Sequence, residues 1–294
     1  HLSLRRQRQM CIRDRCYPGC MESVQENLKR RSFLGRSLGA TLAAATAVGS
    51  AAAVAATPAK ARGAVSFTDV IDLTHSLYEG FPTFDGAQWF SKKPAFTYAK
   101  DGLNLNVWTL YEHTGTHMDA PLHFSAQGMS VDEIPVGDLV VPLAVIDIRD
   151  RAAQDPDATV MPADIRRWES RHGRLPDGCC VVMNSGWHKL LKSPRFVGRD
   201  AQGKNHTPGF HPSTTDFLMK ERHVKGIGVD TLSLDAGIAS GPFPVHNSWL
   251  PSGRWGIEAL ANLDAVPEAG AHLMVGGPKV EGATGGLSRV LALV

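Results

Sequence analysis

Tyr111-Glu112-His113-Thr114-Gly115-Thr116-His117-Met118-Asp119-Ala120-Pro121-Leu122-His123-Phe124 places three of the chain's twelve histidines and one aspartate within eleven residues. The run before it, Leu103 to Leu110, alternates apolar and polar side chains, the period-2 pattern of a strand. If that strand continues through the histidines, residues 113, 115, 117 and 119 share one face. A helix would pair His113 with His117 but turn Asp119 away, and Thr114, Gly115 and Thr116 make a poor helix interior. The extended reading therefore predicts a row of metal-type ligands along a strand. In a straight strand the Cα atoms of His113 and His117 would stand about 13 Å apart, at roughly 3.3 Å per residue. Metal–nitrogen bonds of about 2.1 Å cannot bridge that distance. Either the backbone bends, and Gly115 is the residue that permits it, or two ions sit side by side. His117 and Asp119 chelate one ion without any bend. Pro121 ends regular pairing and sets His123 on a turn beyond the ligands, where it could handle protons instead of holding metal.

The pattern His-x-Gly-Thr-His-x-Asp-x-Pro-x-His resembles the signature of the metal-dependent cyclase family, which includes bacterial kynurenine formamidases and isatin hydrolases. In that family the first two histidines and the aspartate bind metal and the last histidine is the acid–base group. By motif position these are His113, His117, Asp119 and His123. Ile71-Asp72-Leu73-Thr74-His75 is similar to the family's opening strand, and Gly228 to Asp235 to a late one. His246 and Glu258, the latter in Gly256-Ile257-Glu258-Ala259-Leu260, resemble its distal ligands. Without that resemblance, His246 reads equally as a loop histidine, and Glu258 as a carboxylate beside a helix N-terminus. The resemblance runs from about residue 66 to the end. It implies a swivelling β/β/α domain and assembly into dimers or larger oligomers.

Outward from the motif, the chain divides by composition. Residues 1–20 are basic, without periodicity, and resemble non-native sequence fused upstream of a start at Met21; their three cysteines therefore form no framework. Residues 21–61 read as an export signal. Lys29-Arg30-Arg31-Ser32-Phe33-Leu34-Gly35 resembles a twin-arginine motif, an Ala- and Gly-rich stretch follows, and Ala59-Lys60-Ala61 offers a small-x-small cleavage site. That stretch lacks the Leu, Ile and Phe of a spanning helix, so no stable membrane anchor is expected. The expected product is a soluble enzyme, residues 62–294, delivered to the periplasm or the exterior. At 43% hydrophobic, 20% charged and net +2, the whole 294-residue chain has no basic surplus to suggest a nucleic-acid partner.

Short apolar runs at 140–148, 179–184, 226–230, 271–275 and 288–294 read as buried strands. Pro162 to Glu169 and Pro212 to Glu221 read as helices, the first with Asp164 in its first turn and the second capped by Ser213 or Thr214. The class is α/β, a mixed sheet with packed helices. The adjacent Cys179 and Cys180 read as core side chains, since neighbours cannot reach the usual Cα spacing of about 5.5 Å for a relaxed disulfide. Residues 192–212 form a polar loop, a lid or assembly contact on one reading and a tolerated insertion on the other. The Gly-rich 276–286 segment lacks a phosphate-loop ending and reads as tight backbone near the pocket.

Three histidines and two carboxylates without a thiolate suit zinc or manganese, as one or two ions. Such an ion lowers the pKa of water from about 15.7 to about 7 and polarises a carbonyl. The expected reaction is hydrolysis of a small aromatic amide or cyclic amide by metal-activated water, with His123 moving the proton. Trp108, Trp187 and Phe84 are candidate walls for a flat small-molecule substrate, although core packing accounts for any single one of them. Two other classes use the same residues: a cyclase or dehydratase of secondary metabolism, and a non-catalytic exported metal- or ligand-binding protein.

Overall fold

The computed structural model describes residues 65–239 and 241–294. The upstream segment expected at 1–20 and the export signal expected at 21–61 lie outside the described residues. In chain order the strands are β1 (Val70–Asp72), β2 (Phe90–Phe96), β3 (Leu105–Leu110), β4 (His117–Asp119), β5 (Val140–Asp147), β6 (Thr159–Val160) and β7 (Cys179–Asn184). There follow β8 (Gly209–Phe210), β9 (Val224–Val229), β10 (Trp255–Glu258), β11 (His272–Gly276), β12 (Gly285–Leu287) and β13 (Arg289–Leu293). The helices are α1 (Tyr98–Asp101), α2 (Arg149–Gln154), α3 (Pro162–His172), α4 (Pro212–Glu221) and α5 (Pro244–Trp249).

Nine strands form one mixed sheet in the order β1-β13-β11-β5-β7-β9-β10-β4-β12. Its centre, β5-β7-β9-β10, is parallel, and antiparallel strands flank it on both sides. A parallel strand covered on both faces must be apolar on both, and Cys-Cys-Val-Val-Met-Asn in β7 is wholly buried. Val181 and Met183 pack toward α3, α4 and α5 with Ile165, Trp168, Leu218 and Trp249. Cys180 and Val182 face the opposite layer with Ile257, Leu273 and Val290. The two adjacent cysteines thus enter different cores; both are free, and burial pushes the Cys179 thiol up to about 12.

Two local expectations need correction. The strand before the motif does not run through it: β3 ends at Leu110 and pairs only with β2, whereas β4 lies between β10 and β12 of the large sheet. The chain changes sheets between them, turning at Gly115, whose φ of 68° is left-handed. Helix α4 is capped by His211, which accepts from Ser213 N at 3.1 Å, and not by Ser213 or Thr214. Pro212 occupies the first helical position, so the flanking residue falls one place earlier; the Thr214 hydroxyl donates instead to the Val160 carbonyl. Loop 192–212 is a packed element, with Phe196 fully buried and Arg199 donating to the backbone carbonyls of Phe84 and Asp85.

Candidate active site

Strand register builds the polar centre. β4 pairs antiparallel with β10 so that His117 lies directly opposite Glu258, and the period of two returns Asp119 to the same face. The turn at Gly115 then folds His113 back onto Asp119, Nδ1 to Oδ1 at 2.7 Å. Its other ring nitrogen meets Thr284 Oγ1 at 3.0 Å, and Glu112 accepts a hydrogen bond from the Thr284 backbone amide at 3.0 Å. On the far side of β4, Gly285 pairs with Asp119; a Cβ there would stand 2.5 Å from His113 Cε1, so only glycine leaves room for the ring.

His246 arrives from α5. Asp235 accepts from the backbone amides of Val245 and His246, at 2.7 and 3.1 Å, and meets His246 Nδ1 at 2.6 Å. That contact turns His246 Nε2 toward Glu258 Oε1 at 3.1 Å and Asp119 Oδ2 at 3.6 Å. His117 Nδ1 meets the Gly115 carbonyl at 2.8 Å, leaving Nε2 facing Asp119 at 3.3 Å and Glu258 at 3.4 Å. Leu234 N donates to Glu258 Oε1 at 2.9 Å and fixes that carboxylate.

The result is a buried constellation short of positive charge. His117 Nε2 and Asp119 Oδ2 are buried without a hydrogen-bond partner among the described residues. Orphaned buried groups are costly, and a ring lone pair facing two carboxylates needs a proton or a cation between them. Burial opposes charging His117, but Asp119 and Glu258 outweigh it and raise its pKa to about 9. His246 shows the same balance: burial disfavours its charged form, and Asp119, Asp235 and Glu258 hold its pKa well above the ordinary imidazole value. Asp119 is driven well below the usual carboxylate range, since the three histidines around it overcome the effect of burial. A divalent cation fits these donors in two overlapping groups, His113–His117–Asp119 and Asp119–His246–Glu258, within each of which the ligand atoms lie within 4.8 Å of one another. Asp119 belongs to both.

His123 sits apart, in the short turn Pro121–Phe124, with its ring stacked on His113 at 3.7 Å between centroids. Burial pushes its pKa down to about 4, and the neighbouring histidines add to that against the opposing charge of Asp119. It is therefore neutral at pH 7 and carries a lone pair. Above this floor lies a cavity of about 530 Å³, walled by Phe84, Trp89, Tyr111, Phe124 and Phe243. A volume of this size holds a small ligand.

The Cyclase family, described as "Putative cyclase", matches residues 71–236. The chain belongs to that family. Isatin hydrolase from Roseibium aggregatum is 37% identical over 208 residues, covering 67% of this chain and 78% of that one. Kynurenine formamidase from Salinibacter ruber is 28% identical over 203 residues, covering 67% and 85%. Among solved structures, isatin hydrolase A from Labrenzia aggregata bound to benzyl benzoate superposes with a TM-score of 0.72 at 36% identity, covering 77% of this chain and 93% of that one. An isatin hydrolase bound to the product analogue thioisatinate gives 0.71 at 34% identity, covering 77% and 92%.

In this member of the Cyclase family, His113, His117, Asp119, His246 and Glu258 converge on one centre, with His123 beside it and Phe84 on the cavity wall. Trp108 and Trp187 lie elsewhere. Trp108 is 60% exposed on β3, and Trp187 is buried beneath loop 192–212, its indole donating to the Phe196 carbonyl at 3.1 Å. The aromatic wall also includes Trp89, Phe243, Tyr111 and Phe124. Sequence reasoning missed Asp235 and Thr284 as orienting groups. Thr284 lies in the Gly-rich segment expected near the pocket, so only its placement was visible.

Proposed function

We propose that this chain is a metal-dependent hydrolase of a small aromatic cyclic amide, with isatin as the leading substrate and aryl formamides second. The carrying observation is the pair of orphaned ligand atoms, His117 Nε2 and Asp119 Oδ2, at the foot of an aromatic cavity. A divalent cation held by His113, His117, Asp119, His246 and Glu258 would polarise the amide carbonyl and acidify water. The donor set of imidazoles and carboxylates without thiolate supports zinc or manganese.

The chain's own residues supply the rest. Phe84 and Phe243, 5.5 Å apart, present flat apolar surface that suits a fused bicyclic ring. Neutral His123 takes a proton from the attacking water and returns it to the amide nitrogen as the carbon–nitrogen bond breaks. Asp235 and Thr284 each meet one ring nitrogen of His246 and His113 and so aim the other at Glu258 and Asp119, as partners of metal-ligating histidines do. The proposal includes export by the twin-arginine route, supported by Arg30-Arg31-Ser32-Phe33-Leu34 and the Ala59-Lys60-Ala61 site.

The test is turnover by purified protein, stripped and then reloaded with Zn²⁺ or Mn²⁺, of isatin, N-formylkynurenine and a lactone. Opening of isatin by the reloaded protein alone is the expected result. A loaded protein that turns over none of the three sinks the hydrolase reading and favours a cyclase or dehydratase.

A further inference from the structure

The cavity is lined by apolar rings, histidines and carboxylates, and among the described residues no lysine or arginine lines it. Glu112 and Glu258 are lining residues, and Asp119 and Asp235 contact the histidines that share the wall. One divalent cation, or the protons on His117 and His246 in its absence, offsets two of those four negative charges. Arg199 braces the wall through the Phe84 and Asp85 carbonyls but is not itself a lining side chain. Three of the carboxylates are committed to the polar centre. Glu112 is placed differently: it belongs to neither group of cation ligands and is exposed at the mouth beside Tyr111. The backbone amide of Thr284 donates to Glu112 Oε2 at 3.0 Å, and the Thr284 hydroxyl donates to the same oxygen. Two donors from one residue thus pin a carboxylate at the entrance.

We propose that Glu112 sets the charge selectivity of this site, favouring uncharged flat substrates, disfavouring anionic ones and repelling the carboxylate that ring opening leaves on the product. The substrate and product parts rest on the cyclic-amide reading above; the preference in binding does not. A fixed charge at the mouth of a cleft with low-dielectric walls acts on whatever enters or leaves. Between like charges about 7 Å apart, at an effective dielectric constant of about 20–80, the repulsion lowers affinity by about 3- to 50-fold. Hydrolysis of a cyclic amide breaks the carbon–nitrogen bond, leaves an uncharged aryl amine, and converts the carbonyl carbon to a carboxylic acid whose proton passes to solvent. A neutral ligand therefore becomes an anion inside a negative cavity, and the charge that spares the substrate favours release of the product. The α-carboxylate of an amino-acid formamide finds no lysine or arginine there either, which ranks uncharged aryl formamides above it.

The probes are 5-nitroisatin and isatin-5-sulfonate, flat rings of similar size that differ by one negative charge. Metal-loaded wild type should prefer the nitro compound by at least about tenfold in kcat/KM. Glu112→Gln, which keeps an oxygen for Thr284, should narrow that ratio at least about threefold and lower the inhibition constant of isatinate by a similar factor. Glu112→Asp keeps the charge and should keep the preference, which a merely structural part in holding Thr284 would not require. About 0.5 M salt should narrow the wild-type ratio as well. Equal use of both probes by wild type overturns the proposal, as does a ratio that neither Glu112→Gln nor salt moves, or one lost in Glu112→Asp. An unchanged isatinate constant overturns the product part. Equilibrium dialysis of the same probes against metal-stripped protein reads the preference as a ratio of Kd without turnover. If the loaded protein opens neither ring, the hydrolase reading falls and dialysis still decides: tighter binding of the nitro compound that Glu112→Gln weakens upholds the charge selectivity, and equal binding or none overturns it.

Discussion

β3 and β4 are separated by six residues and have opposite fates. β3 pairs with a single neighbour and all six of its residues are exposed; β4 lies between two neighbours and all three of its residues are buried. The sequence reading extends the alternating run Leu103–Leu110 through the histidines as one strand, yet the two segments part at Gly115. Alternation therefore specifies extended backbone, whereas the surrounding sheet decides what covers it. The covered strand became the polar centre because burial leaves its histidine and carboxylate in need of a proton or a cation between them. On the open strand the same kinds of side chain would be solvated, with water to satisfy their polar atoms.

The largest effect should come from breaking the covered strand's charge balance. Asp119 touches three histidines and belongs to both ligand groups. Asp119→Asn should lose bound metal and lower kcat/KM by at least about 1000-fold, or ~4 kcal/mol of transition-state stabilisation. Elemental analysis of the purified variant checks this; full stoichiometry would put the ion elsewhere.

Next is His123→Ala, expected to cost about 10²–10⁴-fold in kcat while metal content stays at the wild-type level. Loss of metal would make His123 a ligand instead of a proton carrier. The two substitutions together ask whether stacking on His113 is structural or chemical.

The contrast between the strands also explains what could be read in advance. His113, His117, Asp119 and His123 were legible because their chemistry is local, and Gly115 marked the bend. The central strands were legible because burial on both faces enforces continuous apolar runs. His246 and Glu258 were visible only through family resemblance, since a strand register far along the chain brings Glu258 opposite His117. Asp235 was not legible as an orienting group, because nothing local separates it from a surface aspartate; its task arises when α5 packs above it. Trp108 and Trp187 misled for the converse reason, as nearness to the motif in sequence says nothing of nearness to the cavity.

Asp235→Asn keeps the shape of the side chain but removes the charge facing His246 Nδ1. Metal affinity should fall about 10–100-fold, measured by competition with a chromogenic chelator. An unchanged affinity would mean that Glu258 and Leu234 alone position the centre.

The buried histidines also set a pH dependence with a definite sign. In metal-free protein His117 has its pKa raised to about 9, so at pH 7 it carries a proton that a cation must displace. Metal affinity should then rise about tenfold per pH unit for each proton released and flatten above about pH 9. A group with a raised folded pKa stabilises fully below its unfolded value near 6.5 and loses that contribution as pH climbs through about 9. The melting temperature of metal-free protein should therefore drop between pH 7 and 9, and that of loaded protein should not show this drop. Equal pH profiles with and without metal would mean that the cation does not displace the His117 proton.

The smallest effect probes the cavity wall. Phe84 packs against Phe243 at 5.5 Å, and its backbone carbonyl accepts from Arg199 of the 192–212 loop at 2.6 Å. Phe84→Ala removes one face from a flat substrate but leaves the backbone clamp and the metal ligands in place. An aromatic contact is worth about 0.5–1.5 kcal/mol, so KM for isatin should rise roughly 2–10-fold with kcat nearly constant. Arg199→Ala acts on the same wall through its anchoring. It should move KM in the same direction without removing any aromatic surface, which separates contact from positioning. If Phe84→Ala lowers kcat and leaves KM alone, the ring orders the transition state, and the substrate must lie closer to His123 than a simple stacking platform allows.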